Sequence, residues 1–322
     1  MDVANPNDVL EPAAKKLLDD IIATGAPPIY TLTPPAAREA LAICQRVPVH
    51  LPPTTVEDTT FPVGPNGSVR IRIVRPEGAT GVLPVVMFFH GGGWMLGDVE
   101  THDRLIRDLA HGSQAAVVFV DYDRTPEVKF PIANEQAYAA TKYVAEHGGK
   151  LGLDPRRIAV AGDSAGGNMA IAVSLLAKER GGPRLAFQLL YYPLTDQSMS
   201  QESYATFAEG FWLTTEAMHW FWDAYLPDKS ARRQIAVSPI NATADQLRGL
   251  PPTLLIVSEN DVLRDEGEAF ARKLMHAGVS VASTRYNATI HDFVMINAIA
   301  ETPQARGAIA QGVAALRAAF HI

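Results

Sequence analysis

From about residue 69 onward the chain alternates short β-branched or aromatic runs with longer stretches of helical spacing, and no other feature narrows its fold as far. The runs are VRIRIV (69–74), VVMFF (85–89), AAVVFVDY (115–122), RIAVAG (157–162), FQLLYY (187–192), TLLIVS (253–258) and VASTRY (281–286). Several are apolar on both faces, which suits strands in the middle of a parallel sheet covered by helices on each side. The first differs: it alternates Val or Ile with Arg, the pattern of a half-exposed antiparallel edge strand, and PNGS just before it carries an Asn-Gly turn signal. Helical stretches fall between the runs, near 103–111, 133–147, 165–180, 265–277 and 303–319, the last with apolar Ile309, Val313, Leu316 and Phe320. The expected class is α/β: a mostly parallel, doubly wound sheet with an antiparallel edge at its start.

Two parts stand outside the alternation. Residues 8–46 read as two amphipathic helices, DVLEPAAKKLLDDIIA and PPAAREALAICQR, the second opened by a Pro pair. Residues 194–250 form a long insertion between two core runs, containing FAEGFWLTTEAMHWFWDAYLPD. There Thr214 fits an N-cap, Glu216 lies in the first turn, and Met218, Phe221, Trp222 and Tyr225 follow i, i+3, i+4, i+7 spacing. This aromatic face is expected to pack on the core, and part of it to roof an apolar pocket. The expected division is 1–50 and 194–250 for the added helical parts, and 51–193 and 251–322 for the core.

The chain has 322 residues, 47% hydrophobic and 20% charged, enough for one sizeable core with an addition to it. Its formal charge of −7, with no Lys/Arg run, argues against nucleic acid as a partner. The single cysteine, Cys44, has no internal partner, MDVANPNDVLEP lacks a secretory pattern, and no apolar stretch reaches membrane-spanning length. The expectation is a cytoplasmic protein without membrane insertion. In that setting the sequons at Asn66, Asn241 and Asn287 read as accidental. No HExxH, Walker-type or Rossmann glycine pattern occurs in suitable context, so neither metal nor cofactor is expected.

The run RIAVAG leads into Gly162-Asp163-Ser164-Ala165-Gly166, a G-x-S-x-G pattern at a strand-to-helix junction. In a nucleophile elbow the serine occupies a strained turn, and the flanking glycines make room for strand and helix to approach. A serine hydroxyl needs a base within hydrogen-bond reach and a carboxylate that holds the base in the correct tautomer. In the chain order Ser, acid, His, the histidines left to consider are His276, His291 and His321. His276 lies late in a helical stretch and His321 is penultimate; His291 follows VASTRY and the short segment NATI, where a loop leaves the sheet, and is the expected base. Asp261, just past TLLIVS, is the expected acid, with Glu259 second and Asp265 read as a helix-start residue. The oxyanion donors are expected to be the N–H groups of Ala165 and of Gly91 and Gly92 in HGGG, where a side chain would block the substrate oxygen. His90 comes too early in the order to be the base and is read as a brace for the loop. Trp94, Phe211 and Trp212 are candidate pocket residues.

With HGGGW, GDSAGG, DVLRDE and HDF in this order, the chain resembles the bacterial hormone-sensitive-lipase-like esterases, family IV, in their GDSAG branch. The resemblance implies an α/β-hydrolase core with a helical cap formed by 1–50 and 194–250, and carboxylesterase activity on short-to-medium acyl esters. It supports Ser164, Asp261 and His291 as a triad and Gly91, Gly92 and Ala165 as oxyanion donors. Small soluble esters are favoured over triglycerides as substrates, and homodimerisation through an edge strand is a further expectation. The family segment Y-R-x-x-P-E-x-x-F-P appears here as YDRTPEVKFP, with Asp123 in place of the arginine, a departure that bears on a supporting ion pair rather than on the chemistry. An amidase, carbamate hydrolase or deacetylase would use the same triad and stays open. A ligand receptor on this scaffold would be expected to lack the histidine that this chain has at position 291.

Overall fold

A computed structural model describes Asn5 and residues 9–322; the start of the first helical stretch at Asp8 lies outside the described residues. The strands are β1 (Thr54–Phe61), β2 (Val69–Pro76), β3 (Leu83–Phe89), β4 (Ala116–Asp121), β5 (Leu153–Asp163), β6 (Phe187–Tyr191), β7 (Thr253–Asn260) and β8 (Val281–Ile290). They form one sheet in the order β1-β2-β4-β3-β5-β6-β7-β8. The β1–β2 and β2–β4 pairs are antiparallel and the other pairs parallel. Val85 through Phe89 are all completely buried, as a strand covered on both faces requires. Burial of each such apolar side chain contributes about 1.5–3 kcal/mol.

The longer helices are α1 (Pro12–Ala23), α2 (Pro34–Gln45), α3 (Asp103–Ser113), α4 (Ile132–His147), α5 (Ala165–Glu179), α6 (Thr215–Tyr225), α7 (Arg264–His276) and α8 (Pro303–Phe320). Side chains cap the starts of α1, α2, α6 and α8. Thr33 caps α2 through Ala36 N–H ahead of the Pro pair, and Thr214, the expected N-cap, caps α6 through Ala217 N–H. Glu11 opens α1: its carboxylate accepts from Ala13 and Ala14 N–H, and Pro12 takes the first helical position. In α8, Ile309, Leu316 and Phe320 are buried.

VRIRIV is not the edge strand expected. A further strand, TTVEDTTF, pairs outside it as β1. Its mostly polar, exposed residues leave no apolar run to detect. It is held by the backbone ladder and by charge pairing: Arg72 makes a two-pronged contact with Asp58 at 2.7 and 2.9 Å, and Arg75 meets Glu57 at 2.8 Å. β8 likewise runs on through NATI, so that His291 follows the strand directly.

Candidate active site

The C-terminal ends of β3, β5, β7 and β8 face the same side of the parallel sheet, where α/β folds bind ligands. β5 ends at Asp163 and α5 begins at Ala165, leaving Ser164 between them at φ +54°, ψ −121°. Such a backbone costs a side-chain-bearing residue about 1–3 kcal/mol and persists only when its surroundings enforce it. Here Ser164 N–H donates to Tyr191 O at 2.9 Å, while Ser164 O accepts from Asn168 N–H at 3.1 Å. The flanking glycines are required by close approach: a Cβ on Gly162 would stand 2.3 Å from Gly166 O, and one on Gly166 2.0 Å from Phe89 O.

The structure brings Ser164, His291 and Asp261 into one hydrogen-bonded chain. Ser164 Oγ lies 2.9 Å from His291 Nε2, and His291 Nδ1 lies 2.7 Å from Asp261 Oδ2. The other carboxylate oxygen of Asp261 accepts from Leu263 N–H at 2.9 Å, which fixes the acid in the turn after β7. Burial by itself would pull the His291 imidazole down, but the carboxylates of Asp261 and Asp292 outweigh it and push its pKa up to about 9. Glu259 is engaged elsewhere, accepting from Ala288 N–H at 2.7 Å, and Asp265 accepts from Ser203 N–H at 2.9 Å. His276 ends α7 and His321 caps α8, both exposed to solvent. His90 is buried, with its ring stacked 4.1 Å from that of Tyr122 and Nδ1 2.8 Å from Gly91 O.

The glycine loop departs from expectation at one position. Gly91 N–H already donates to Asp163 Oδ1 at 3.0 Å, so it is not free to meet an oxyanion. Among the described residues, the N–H groups of Gly92, Gly93 and Ala165 find no acceptor. Gly92 (φ +99°) and Gly93 (φ +60°) carry the turn, and Leu96 N–H closes it on Gly92 O at 2.8 Å. What excludes side chains here is the protein's own packing: a Cβ would meet Asp163 Oδ2 from Gly91 at 2.3 Å, Leu96 O from Gly92 at 2.7 Å and the Phe221 ring from Gly93 at 2.2 Å.

Sequence reasoning missed the buried pair behind this loop. Asp163 Oδ2 lies 3.3 Å from His102 Nε2, and His102 Nδ1 lies 3.0 Å from Thr101 Oγ1. Burial pulls the His102 imidazole down, but Asp163 overcomes this and the net shift is upward. Asp163 thereby ties the elbow to the glycine loop through one carboxylate. Its position before the serine was the only sequence signal; His102 had none.

A protein family described as alpha/beta hydrolase fold matches residues 86–295. The chain is 38% identical over 325 residues to carboxylesterase NlhH of Mycobacterium tuberculosis, covering 99% of this chain and 98% of that protein. The chain belongs to the α/β-hydrolase fold family. The hormone-sensitive-lipase-like character of the motifs agrees with that membership. A putative alpha/beta hydrolase of Acanthamoeba polyphaga mimivirus is 40% identical over 91% of this chain and 84% of its own length. Among solved structures, a thermostable esterase from Pseudomonas putida superposes with a TM-score of 0.96 at 48% identity over 98% of each chain.

Around this α/β-hydrolase centre the added helices contribute unequally. Trp94 is fully buried and stacks on Tyr225 of α6, ring centres 3.8 Å apart, so it packs beneath the insertion instead of lining an open pocket. Phe211 is buried edge-on against Phe207, whereas the half-buried Trp212 donates from Nε1 to Asp292 Oδ2 at 2.9 Å. From α2, Arg38 clasps Glu127 at 2.8 and 2.6 Å and donates to Met95 O and Thr125 O. The Arg38 hydrogen bonds hold the Glu127 carboxyl down at about 2. Where the family arginine is missing, Asp123 pairs with Arg70 and accepts from Gln136. Gln45 donates to Thr101 O and Met295 O, joining the end of α2 to the loop after His291. Among the described residues, no helix is long and apolar enough to cross a membrane.

Proposed function

We propose that this chain is a serine carboxylesterase of the GDSAG branch that hydrolyses short-to-medium acyl esters through an acyl-enzyme on Ser164. The observation that carries the reading is the unbroken Ser164–His291–Asp261 hydrogen-bond chain at the strained head of α5. Ser164 Oγ attacks the ester carbonyl while His291 Nε2 takes its proton. Asp261 holds the ring and stabilises the imidazolium. The oxyanion is received by the N–H groups of Gly92, Gly93 and Ala165, the last at the positive end of the α5 dipole. Collapse of the tetrahedral intermediate moves the Nε2 proton to the leaving alcohol, and water then releases the acid by the same steps.

The N-terminal part (1–50) and the insertion (194–250) serve as a two-part cap over the hydrolase core (51–193 and 251–322), a division supported by the contacts of α2 and α6 beside the site. The edge strand β8, with Ala282, Ser283 and Arg285 exposed, is the surface for a homodimer, and the lone Cys44 suits a cytoplasmic setting. Ser164→Ala tests the central reading: hydrolysis of a p-nitrophenyl ester should be lost, with a residual rate of about a percent or less. Retention of the rate in contaminant-free protein would refute it. Matched amides cleaved as fast as esters would replace the esterase assignment with the amidase one.

A further inference from the structure

Asp292 follows the proposed base directly, yet the steps above leave its carboxyl unused. Its Oδ2 accepts from Trp212 Nε1 at 2.9 Å. Oδ1 is buried without a hydrogen-bond partner among the described residues and lies 3.4 Å from His291 Nε2. The residue is 8% exposed, and its φ of +64° is a backbone that glycine adopts without strain. A buried acceptor left unpaired is costly and calls for a reason.

His291 Nε2 exchanges the proton during both halves of the reaction, so a molecule bonded to it on the substrate side is within reach of Oδ1. The two molecules that bind there differ in what they donate. An alcohol has one O–H group, which Nε2 engages; water has a second. We propose that Asp292 positions the hydrolytic water: one O–H of the water donates to His291 Nε2 and the other to Asp292 Oδ1. This aims the oxygen lone pair at the acyl carbon and favours water over alcohols as acyl acceptor. Trp212, by holding Oδ2, keeps Oδ1 turned to the site.

In that step the water oxygen bonds to the acyl carbon as one of its protons passes to Nε2. The other proton stays on the new carboxyl group and points at Oδ1 through the tetrahedral stage. The bond between the acyl carbon and Ser164 Oγ then breaks, and the Nε2 proton returns to Oγ.

The inference rests on the acyl-enzyme reading, and the experiment separates the two. The full-length chain is mixed with a p-nitrophenyl ester in water containing methanol; the nitrophenol burst reports acylation, and the ratio of methyl ester to free acid reports the choice of acceptor. Asp292→Gly removes the acceptor and relaxes the backbone. Asp292→Asn must turn its oxygen to the Trp212 N–H, presenting an amide donor where water needs an acceptor. Measured above pH 9, where the His291 base is neutral with or without the Asp292 charge, both variants should keep the burst rate within about twofold, while the ester-to-acid ratio rises about tenfold, the effect of one lost hydrogen bond to a charged group. An unchanged ratio with the burst intact would overturn the role of Asp292, as would loss of the burst in both variants. A Ser164→Ala variant that releases nitrophenol at the native rate would instead overturn the acyl-enzyme.

Discussion

Replacing Asp163 should damage catalysis although the residue touches no reacting atom, and the two obvious substitutions should do so to different degrees. Asp163 is completely buried and accepts from Gly91 N–H at 3.0 Å and from His102 Nε2 at 3.3 Å. Asp163→Ala leaves both donors unpaired, at about 1–3 kcal/mol each, so unfolding should become easier by about 2–6 kcal/mol. That is a large share of the roughly 5–15 kcal/mol that holds a domain together. The glycine loop also loses its tether to the elbow, and misplacing the proposed oxyanion donors should lower kcat by about 10²–10³. Asp163→Asn keeps an oxygen for Gly91. Its amide N–H faces His102 Nε2, which can accept once the imidazole is neutral with its proton on Nδ1, toward Thr101. Only the charged interaction is lost, so stability should fall by about 1 kcal/mol and kcat by less than about tenfold.

The pH dependence supplies a sign to check. The folded His102 is shifted upward by Asp163, so this pair stabilises most below the unfolded histidine value and less as pH rises through the folded one. The stability gap between the native chain and Asp163→Asn should therefore narrow at alkaline pH. Urea unfolding followed by tryptophan fluorescence, at acid and alkaline pH, gives the stabilities, and steady-state hydrolysis of a p-nitrophenyl ester gives kcat. An Asp163→Ala variant that keeps kcat within about threefold, or an Asn variant as impaired as the Ala one, would refute the tether.

As the proposed base, His291 must be neutral to accept the Ser164 proton, so with its pKa pushed up to about 9, kcat/KM should climb through the neutral range and level off only above that value. Its contribution to folding stability should run the other way, full below the unfolded value and lost as pH rises through the folded one; a pH–rate profile already flat at neutral pH would contradict this. Gly93→Ala should lower both kcat and stability, the latter by about 2–4 kcal/mol, since the new Cβ would sit 2.2 Å from the Phe221 ring at a φ of +60°. Adding Phe221→Ala should recover part of the loss, and strict additivity in that double-mutant cycle would rule out the clash.

The sequence by itself determined what depends on local pattern. Runs such as VVMFF and TLLIVS are apolar on both faces, which only a covered strand tolerates, and the Gly162–Gly166 elbow carries its steric requirement in adjacent residues. From these the sheet, the serine and the order of its partners followed. TTVEDTTF escaped because an exposed edge strand needs no apolar row, only a neighbour's backbone and charges such as Arg72 to pair with Asp58. Tertiary structure alone decided who uses each hydrogen bond. Gly91 and Gly92 are indistinguishable in HGGG, yet a carboxylate 72 positions along takes the Gly91 proton. His102 and Asp163 are 61 residues apart, and Trp212 and Asp292 are 80 apart. A donor is spent or free according to what packs against it, and that information does not reside in the neighbouring residues of the chain.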